Sequence, residues 1–126
     1  MKYLLDTHVW IWAANNDSSL PTKYKRLLGT ISSGDVGLAD ISLWEAVRVH
    51  RLGGLTSGDP VDWFDRALSQ VFLIPISPAI ALVEQSLTWQ HRDPADRIIV
   101  ASALVHSTPL MTCDKEIIKW GGVKVV

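Results

Sequence analysis

Short apolar runs alternate along the chain with longer stretches in which apolar residues recur at the spacing of a helix face. The apolar runs predict five short buried strands, at residues 3–5, 35–39, 71–76, 109–112 and 123–126. The stretches between them predict seven helices, at residues 8–15, 20–33, 41–52, 61–69, 78–87, 94–106 and 115–120. Such alternation is typical of an α/β domain built around a parallel sheet.

Length and composition favour one domain with its own hydrophobic core. The chain has 126 residues, of which 48% are hydrophobic, and it contains no internal repeat, so we predict a single domain over residues 1–126. Its single cysteine, Cys113, excludes an internal disulfide and a multi-cysteine zinc site. The N-terminus does not resemble a signal peptide, and no apolar run approaches the roughly 18 residues of a membrane span. We therefore expect a cytoplasmic protein with no membrane association.

Several common chemistries are absent from the sequence. There is no phosphate-binding loop GxxxxGK[ST], no dinucleotide-binding turn GxGxxG and no nucleophile elbow GxSxG. The four histidines show no HExxH spacing, so each is interpreted as structural or solvated. A formal net charge of -1 excludes a strongly basic coat for nucleic acid, although it does not exclude a local basic patch.

What remains is a set of acidic residues placed directly after predicted strands or at the starts of predicted helices. Asp6 lies in LLDTHVW, Glu45 in ISLWEA, Asp93 and Asp96 in HRDPADRIIVASA, and Asp114 in LMTCDKEI. The carboxyl ends of parallel strands and the amino ends of the following helices share one edge of the sheet, where ligands bind. We expect carboxylates from these four segments to converge at that edge.

Each acid also has a purely structural interpretation, which is the favoured one when the acids are taken singly. Ser42 and Glu45 have the spacing of a capping box, and Asp93 before Pro94 has the form of a helix N-cap. Asp6 and Asp114 are likewise placed to cap helices.

Taken together, the acids favour a metal site. Two carboxylates about 4 Å apart repel by roughly 4 kcal/mol at an effective dielectric constant of about 20, so a cluster needs a cation or protonated members. Ligands that are all oxygen suit Mg²⁺ or Mn²⁺, and such ions assist phosphodiester hydrolysis.

The four motifs, in this order and spanning the chain, resemble the PIN domains of VapC-type toxins. The resemblance implies a three-layer α/β/α sandwich, similar to that of flap endonucleases, with a central parallel sheet. It also implies an endoribonuclease, dependent on Mg²⁺ or Mn²⁺, that leaves a 5′-phosphate and a 3′-hydroxyl.

The resemblance assigns roles to individual residues. It implies that the four catalytic acids, which also ligate metal, are Asp6, Glu45, Asp96 and Asp114. Asp93 matches a further acid common in this subgroup, so it either assists at the metal site or only caps a helix. Thr7 and Thr112 match positions where a hydroxyl orients a carboxylate or a water molecule. Asp40 departs from the family pattern, which has a small or apolar residue there.

Partners follow partly from position and partly from the resemblance. The basic residues that flank the acidic motifs are candidates for binding RNA, with ordinary surface charge as the alternative: Arg48, Arg51, Arg92, Arg97 and Lys115. The resemblance implies a protein antitoxin with a DNA-binding domain, and a homodimer. Trp10, Trp12 and Trp44 belong either to a bulky core or to an apolar groove that such a partner covers.

Two other classes of function stay open at this point. One is a non-catalytic PIN-type module that binds protein or RNA, in which the carboxylates only cap helices. The other is a phosphotransfer domain with Asp6 as the phosphorylated residue, which is disfavoured because Thr7 and His8 follow where a second acid is needed.

Overall fold

A computed structural model describes all 126 residues and contains one parallel sheet. Its strands are β1 (Tyr3–Leu5), β2 (Val36–Ala39), β3 (Phe72–Ile74) and β4 (Leu110–Met111), in the spatial order β3-β2-β1-β4. Every pairing is parallel; Leu5, for example, lies opposite both Leu38 and Met111. The predicted parallel sheet is confirmed.

Seven helices connect and cover the strands, and their bounds agree with the sequence pattern to within a few residues at most ends. They are α1 (Thr7–Ala14), α2 (Thr22–Gly29), α3 (Ile41–Arg51), α4 (Pro60–Leu68), α5 (Pro78–Ser86), α6 (Pro94–Val105) and α7 (Lys115–Trp120). No helix is both long enough and apolar enough to cross a membrane.

Successive strand residues supply two separate hydrophobic cores, one on each face of the sheet. Leu4 packs in a cluster that includes Ile80 and Ile99, from α5 and α6. Leu5 packs in a second cluster with Trp10 and Trp63, from α1 and α4. The expected three-layer α/β/α sandwich is therefore confirmed.

Two elements differ from the sequence prediction. Residues 123–126 form no strand, only an isolated parallel bridge between Val125 and Leu110, because Leu110 alone exchanges backbone hydrogen bonds with this segment, through the Lys124 carbonyl and the Val126 N–H. The helix predicted to reach residue 33 ends at Gly29, where glycine is a weak helix former and the Thr30 hydroxyl donates to the Leu27 carbonyl. A short 3-10 turn at Ser33–Asp35 then leads into β2.

The three tryptophans near the acidic motifs have different environments. Trp10 is buried and packs edge-on against Trp63, with ring centroids 5.1 Å apart. Trp12 is half-buried, whereas Trp44 is exposed and has the Arg48 guanidinium 4.9 Å above its ring. The core interpretation therefore holds for Trp10 and is wrong for Trp44.

An ion pair joins α5 to α6. Arg97 Nε lies 2.8 Å from Glu84 Oε1, and both side chains are only 14% exposed. The same guanidinium donates to the backbone carbonyls of Glu84, Trp89 and His91. Arg97 thus ties the segment between the two helices to the body of the domain.

Replacing Arg97 is expected to destabilise the fold strongly. Arg97→Gln leaves the half-buried Glu84 carboxylate without its cation and three carbonyls without a donor, so we expect the free energy of unfolding to fall by about 3 kcal/mol. Urea denaturation followed by circular dichroism measures this. The exposed Arg26, changed to Gln, is the control and is expected to cost less than about 1 kcal/mol. Equal losses in the two variants would contradict the structural role of Arg97.

Candidate active site

Asp6 is the most buried of the candidate acids and lies between β1 and α1. Only 7% of it is exposed. Its Oδ1 accepts from the Thr7 backbone N–H at 2.8 Å, and its Oδ2 accepts from the Thr112 hydroxyl at 2.6 Å. Burial raises the pKa of Asp6, and the nearby charge of Asp114 raises it further, while these two hydrogen bonds oppose the shift. The carboxylate is therefore held in one orientation in a poorly solvated place.

Thr112 connects Asp6 to Asp114 across the edge of the sheet. Besides donating to Asp6, its hydroxyl accepts from the Asp114 backbone N–H at 3.0 Å. Asp114 caps α7 with one carboxylate oxygen, Oδ1, which accepts from the N–H groups of Glu116 and Ile117. The cap leaves Oδ2 of Asp114 available for another partner.

Glu45 reaches the same edge from α3. Its Oε1 accepts from the Thr7 hydroxyl at 2.5 Å, and that hydroxyl is also 2.8 Å from the Ser42 hydroxyl. Burial raises the pKa of Glu45, and the charges of Asp6 and Asp93 add to the shift. The capping-box interpretation of Ser42 and Glu45 is wrong, because α3 begins at Ile41 and both side chains turn towards Thr7 instead.

Asp96 and Asp93 lie in the first turn of α6 and just before it. Asp93 caps the helix by accepting from the N–H groups of Ala95 and Asp96. Asp96 Oδ2 lies 2.7 Å from Nε2 of His91. Burial raises the pKa of Asp96 to about 6, and the charges of Asp93, Asp6 and Asp114 contribute to the shift.

His91 is the residue of this site that sequence reasoning missed. Ligand atoms of His91, Asp93 and Asp96 all lie within 4.8 Å of one another. The imidazole ring is stacked on Trp89, with centroids 4.6 Å apart. The sequence contains one indication of its role, because His91 lies in HRDPAD, five residues before Asp96. This spacing does not match the HExxH metal motif.

The structure brings the predicted acids together at one edge of the sheet. The charges of Asp93, Asp6 and Asp114 raise the pKa of Asp96, the charge of Asp114 raises that of Asp6, and the charges of Asp6 and Asp93 raise that of Glu45. Asp40 is different, since its Oδ2 accepts from the Ile76 N–H at 3.3 Å and its side chain does not cap α3. The catalytic and ligand roles of these residues stay predictions.

The basic residues predicted to bind RNA divide into two groups. Four of them are exposed near the acidic motifs: Arg48, Arg51, Arg92 and Lys115. Arg97 is not available, because its guanidinium is buried against Glu84 and donates only to groups of the same chain. The prediction that Arg97 binds RNA is inconsistent with this position.

The donor set fits a divalent cation. Carboxylate oxygens dominate it, and three of the acids have raised pKa values, chiefly because burial disfavours their charged forms and also because other carboxylates lie nearby. Oxygen ligands suit Mg²⁺ and Mn²⁺, and the one imidazole is compatible with Mn²⁺ more than with Mg²⁺.

The raised pKa of Asp96 predicts a pH-dependent stability of the metal-free chain. Between pH 3.8 and about 6 the folded chain retains a proton that the unfolded chain has lost, so stability falls as pH rises through this window. Asp96→Asn removes this ionisation, so we expect a higher Tm than wild type at pH 7 in EDTA and a flatter pH profile. Thermal melts from pH 4 to 8 measure both; a lower Tm in the variant at pH 7 would contradict the interpretation. The exposed Asp62, changed to Asn, is the control.

Comparison with known proteins gives one family match and several structural likenesses. The family model described as PIN domain matches residues 3–122. Ribonuclease VapC22 from Mycobacterium tuberculosis is 27% identical over 116 residues, which cover 90% of this chain and 88% of that protein.

Solved structures of other proteins have the same fold as this chain. DNA-bound VapBC from Salmonella typhimurium aligns with a TM-score of 0.76 at 17% identity, over 100% of this chain and 97% of that one. FitAcB from Neisseria gonorrhoeae aligns with a TM-score of 0.74 at 20% identity, over 98% and 95% of the two chains. At these identities the likeness shows the fold alone.

Proposed function

The chain belongs to the PIN domain family, and from that premise we propose that it is a metal-dependent endoribonuclease acting as the toxin of a toxin-antitoxin pair. The observation that carries the proposal is the convergence of Asp6, Glu45, Asp96 and Asp114, from four separate segments, on one poorly solvated edge of the sheet. The name of the ribonuclease relative supports RNA as the substrate.

Mg²⁺ or Mn²⁺ is the proposed cofactor. Asp6, Asp96 and Asp114 would hold it, with Glu45 and Asp93 as further ligands or as partners through water. A divalent ion bound here would polarise a phosphoryl oxygen and lower the pKa of a bound water molecule.

The side chains of the protein would prepare the site for that chemistry. Thr112 orients Asp6, Thr7 orients Glu45, and His91 orients Asp96, each through a hydrogen bond to a carboxylate oxygen. Glu45 would position the attacking water and accept its proton, because burial and neighbouring carboxylates raise its pKa and so make its ionised form a stronger base. The water oxygen bonds to phosphorus as the bond from phosphorus to the 3′-oxygen breaks, and that oxygen takes a proton from solvent, giving a 5′-phosphate and a 3′-hydroxyl.

The non-catalytic alternative explains fewer of the contacts. A binding module would need the carboxylates only as helix caps, and Asp6, Asp93 and Asp114 do cap helices. Glu45 and Asp96 cap nothing, yet both are partly buried beside other acids, where ionisation is unfavourable. An arrangement with this electrostatic cost is better explained by a cation site.

An antitoxin and a second copy of the chain are the proposed protein partners, and the cytoplasm the proposed location. One structural neighbour, from Klebsiella pneumoniae, is described as a toxin-antitoxin complex, which supports the first partner. A largely apolar cavity of about 370 Å³, lined by residues such as Trp10, Leu28, Trp63 and Val71, offers space for apolar side chains of a partner. This cavity lies on the α1, α2 and α4 side, away from the acids.

Cleavage of RNA is expected to require metal and Asp96. Purified chain, free of partner, is incubated with labelled structured RNA in Mg²⁺, Mn²⁺ or EDTA. Removing a group that only hydrogen-bonds to a metal ligand lowers metal affinity or activity about 10–100-fold. Because Asp96 is itself a proposed ligand, we expect Asp96→Asn to lower kcat/KM by more than about 100-fold. Asp62→Asn, which changes the same charge on an exposed site, should cleave as wild type does.

The same purified protein shows which part of the proposal fails if cleavage does not behave as expected. Cleavage that persists in EDTA, or that Asp96→Asn retains, would overturn the proposed mechanism. An absence of both cleavage and metal-induced stabilisation would favour the binding module. Metal at about 100 times its Kd should raise the free energy of unfolding by about 2.7 kcal/mol.

Thr112 is expected to affect metal affinity without ligating metal. Thr112→Val keeps the shape but removes the donor to Asp6 and the acceptor for the Asp114 N–H. We expect the affinity for Mn²⁺, measured by calorimetry, to fall about 10–100-fold. Thr112→Ser retains the hydroxyl and should stay close to wild type; equal losses in both variants would indicate a packing effect instead.

A further inference from the structure

A second cavity, here called the loop–α7 cavity, lies between the segment at residues 89–92 and helix α7. Its volume is about 610 Å³, within the range of about 300–1,000 Å³ typical of small-molecule sites. Three rings, two cations and one carboxylate account for most of its lining: Trp89, His91, Trp120, Arg92, Lys119 and Glu116. Of these residues, the proposed function uses only His91, which orients Asp96.

The three rings form one continuous stack. The centroid of Trp89 lies 4.9 Å from that of Trp120 and 4.6 Å from that of His91, with an interplanar angle of 19° in both pairs. Aromatic surfaces of this kind bind nucleobases with little dependence on sequence, because every base has a flat face. Trp89 lies between the other two rings and is only 8% exposed, so the surface that the stack offers to an unpaired base comes from the half-buried outer rings, His91 and Trp120.

The stack is held rigidly from both sides. Arg97 donates to the carbonyls of Trp89 and His91 at 2.5 and 3.0 Å, which anchors the loop. At the other end the ring of Trp120 packs so closely on Gly122 that a Cβ there would lie 2.3 Å from it. A preorganised surface loses less conformational entropy when a ligand binds.

The charges at the cavity suit a phosphate backbone. Arg92 and Lys119 are exposed and form no ion pair, whereas the lining holds one carboxylate, that of Glu116. The cavity also adjoins the acidic site, since His91 is 2.7 Å from Asp96 and Glu116 follows Asp114 by two residues in α7. A nucleotide in the cavity would thus be next to the phosphate positioned at the acids.

We propose that the loop–α7 cavity binds one unpaired nucleotide of a single-stranded RNA, adjacent to the phosphodiester that is cut. The outer rings of the stack, His91 and Trp120, contact the base, and Arg92 and Lys119 contact the flanking phosphates. Because the base must be free to leave its own helix, the preferred substrates are single-stranded loops or ends. The inference rests on the proposed ribonuclease function.

The contacts of Arg92 and Lys119 with RNA are tested by measuring the binding of a short fluorescent single-stranded RNA by anisotropy. Ca²⁺ replaces Mg²⁺, and a gel confirms that the RNA stays intact. The double variant Arg92→Gln with Lys119→Gln is expected to raise Kd by about tenfold or more and to reduce the slope of log K against log salt by about 1.4, as for two lost phosphate contacts. The control is Lys25→Gln with Arg26→Gln, an exposed pair on α2 with the same charge change, which should stay within about twofold of wild type.

Two variants of Trp120 test the stack. Trp120→Phe keeps an aromatic ring, and Trp120→Leu keeps only apolar bulk. We expect the first to bind RNA within about threefold of wild type and the second about tenfold more weakly. Equal affinities in these two variants would overturn the role of stacking.

The results of these experiments distinguish a failure of the cavity proposal from a failure of the ribonuclease proposal on which it rests. If wild type cleaves RNA with metal but the Arg92 and Lys119 double variant binds as wild type does, the cavity proposal is wrong and the ribonuclease stands. Equal weakening in the α2 control would also overturn it, since the effect would then be one of general charge. If wild type neither binds nor cleaves RNA, both proposals fail together.

Discussion

Holding ionised carboxylates close together with little water around them is the constraint on which the rest of the molecule depends. Burial is the largest cause of the raised pKa values of Asp6, Glu45 and Asp96, and neighbouring carboxylates add to it. Hydrogen bonds from Thr112, Thr7 and His91 oppose these shifts because they stabilise the charged forms. They do not cancel the shifts, so the site remains electrostatically unfavourable until a cation or protons offset its charge.

Helix capping is part of how the site is assembled and is not an alternative to it. At β1–α1 and β4–α7 the helix begins within four residues of the end of the strand, so one carboxylate can bind helix N–H groups and still face the sheet edge. Asp114 shows the principle, since Oδ1 caps α7 while Oδ2 takes no part in the cap. Glu45 and Asp96 lie farther inside their helices and depend on hydrogen bonds from Thr7 and His91 for their orientation.

Features that depend on the local pattern of the sequence were predictable, whereas those that depend on tertiary contacts between distant segments were not. The strands, the helices and the acids at their junctions are encoded in the periodicity and in the motifs. His91 was missed because the position of its ring depends on Trp89 and on the carbonyls that Arg97 holds. The role of Arg97 was missed because its partner, Glu84, lies in the preceding helix and no local pattern links the two.

Adjacent residues in HRDPADR, Asp96 and Arg97, point to different sides of α6, and this division connects the acidic site to the loop–α7 cavity. Successive residues of an α-helix point about 100° apart, so Asp96 faces the acids while Arg97 faces α5. From there Arg97 holds the two carbonyls that place His91 beside Asp96 and Trp89 in the ring stack. Arg97, which its position in the sequence made a candidate for binding RNA, therefore affects the proposed RNA site only indirectly, by positioning the residues that line it.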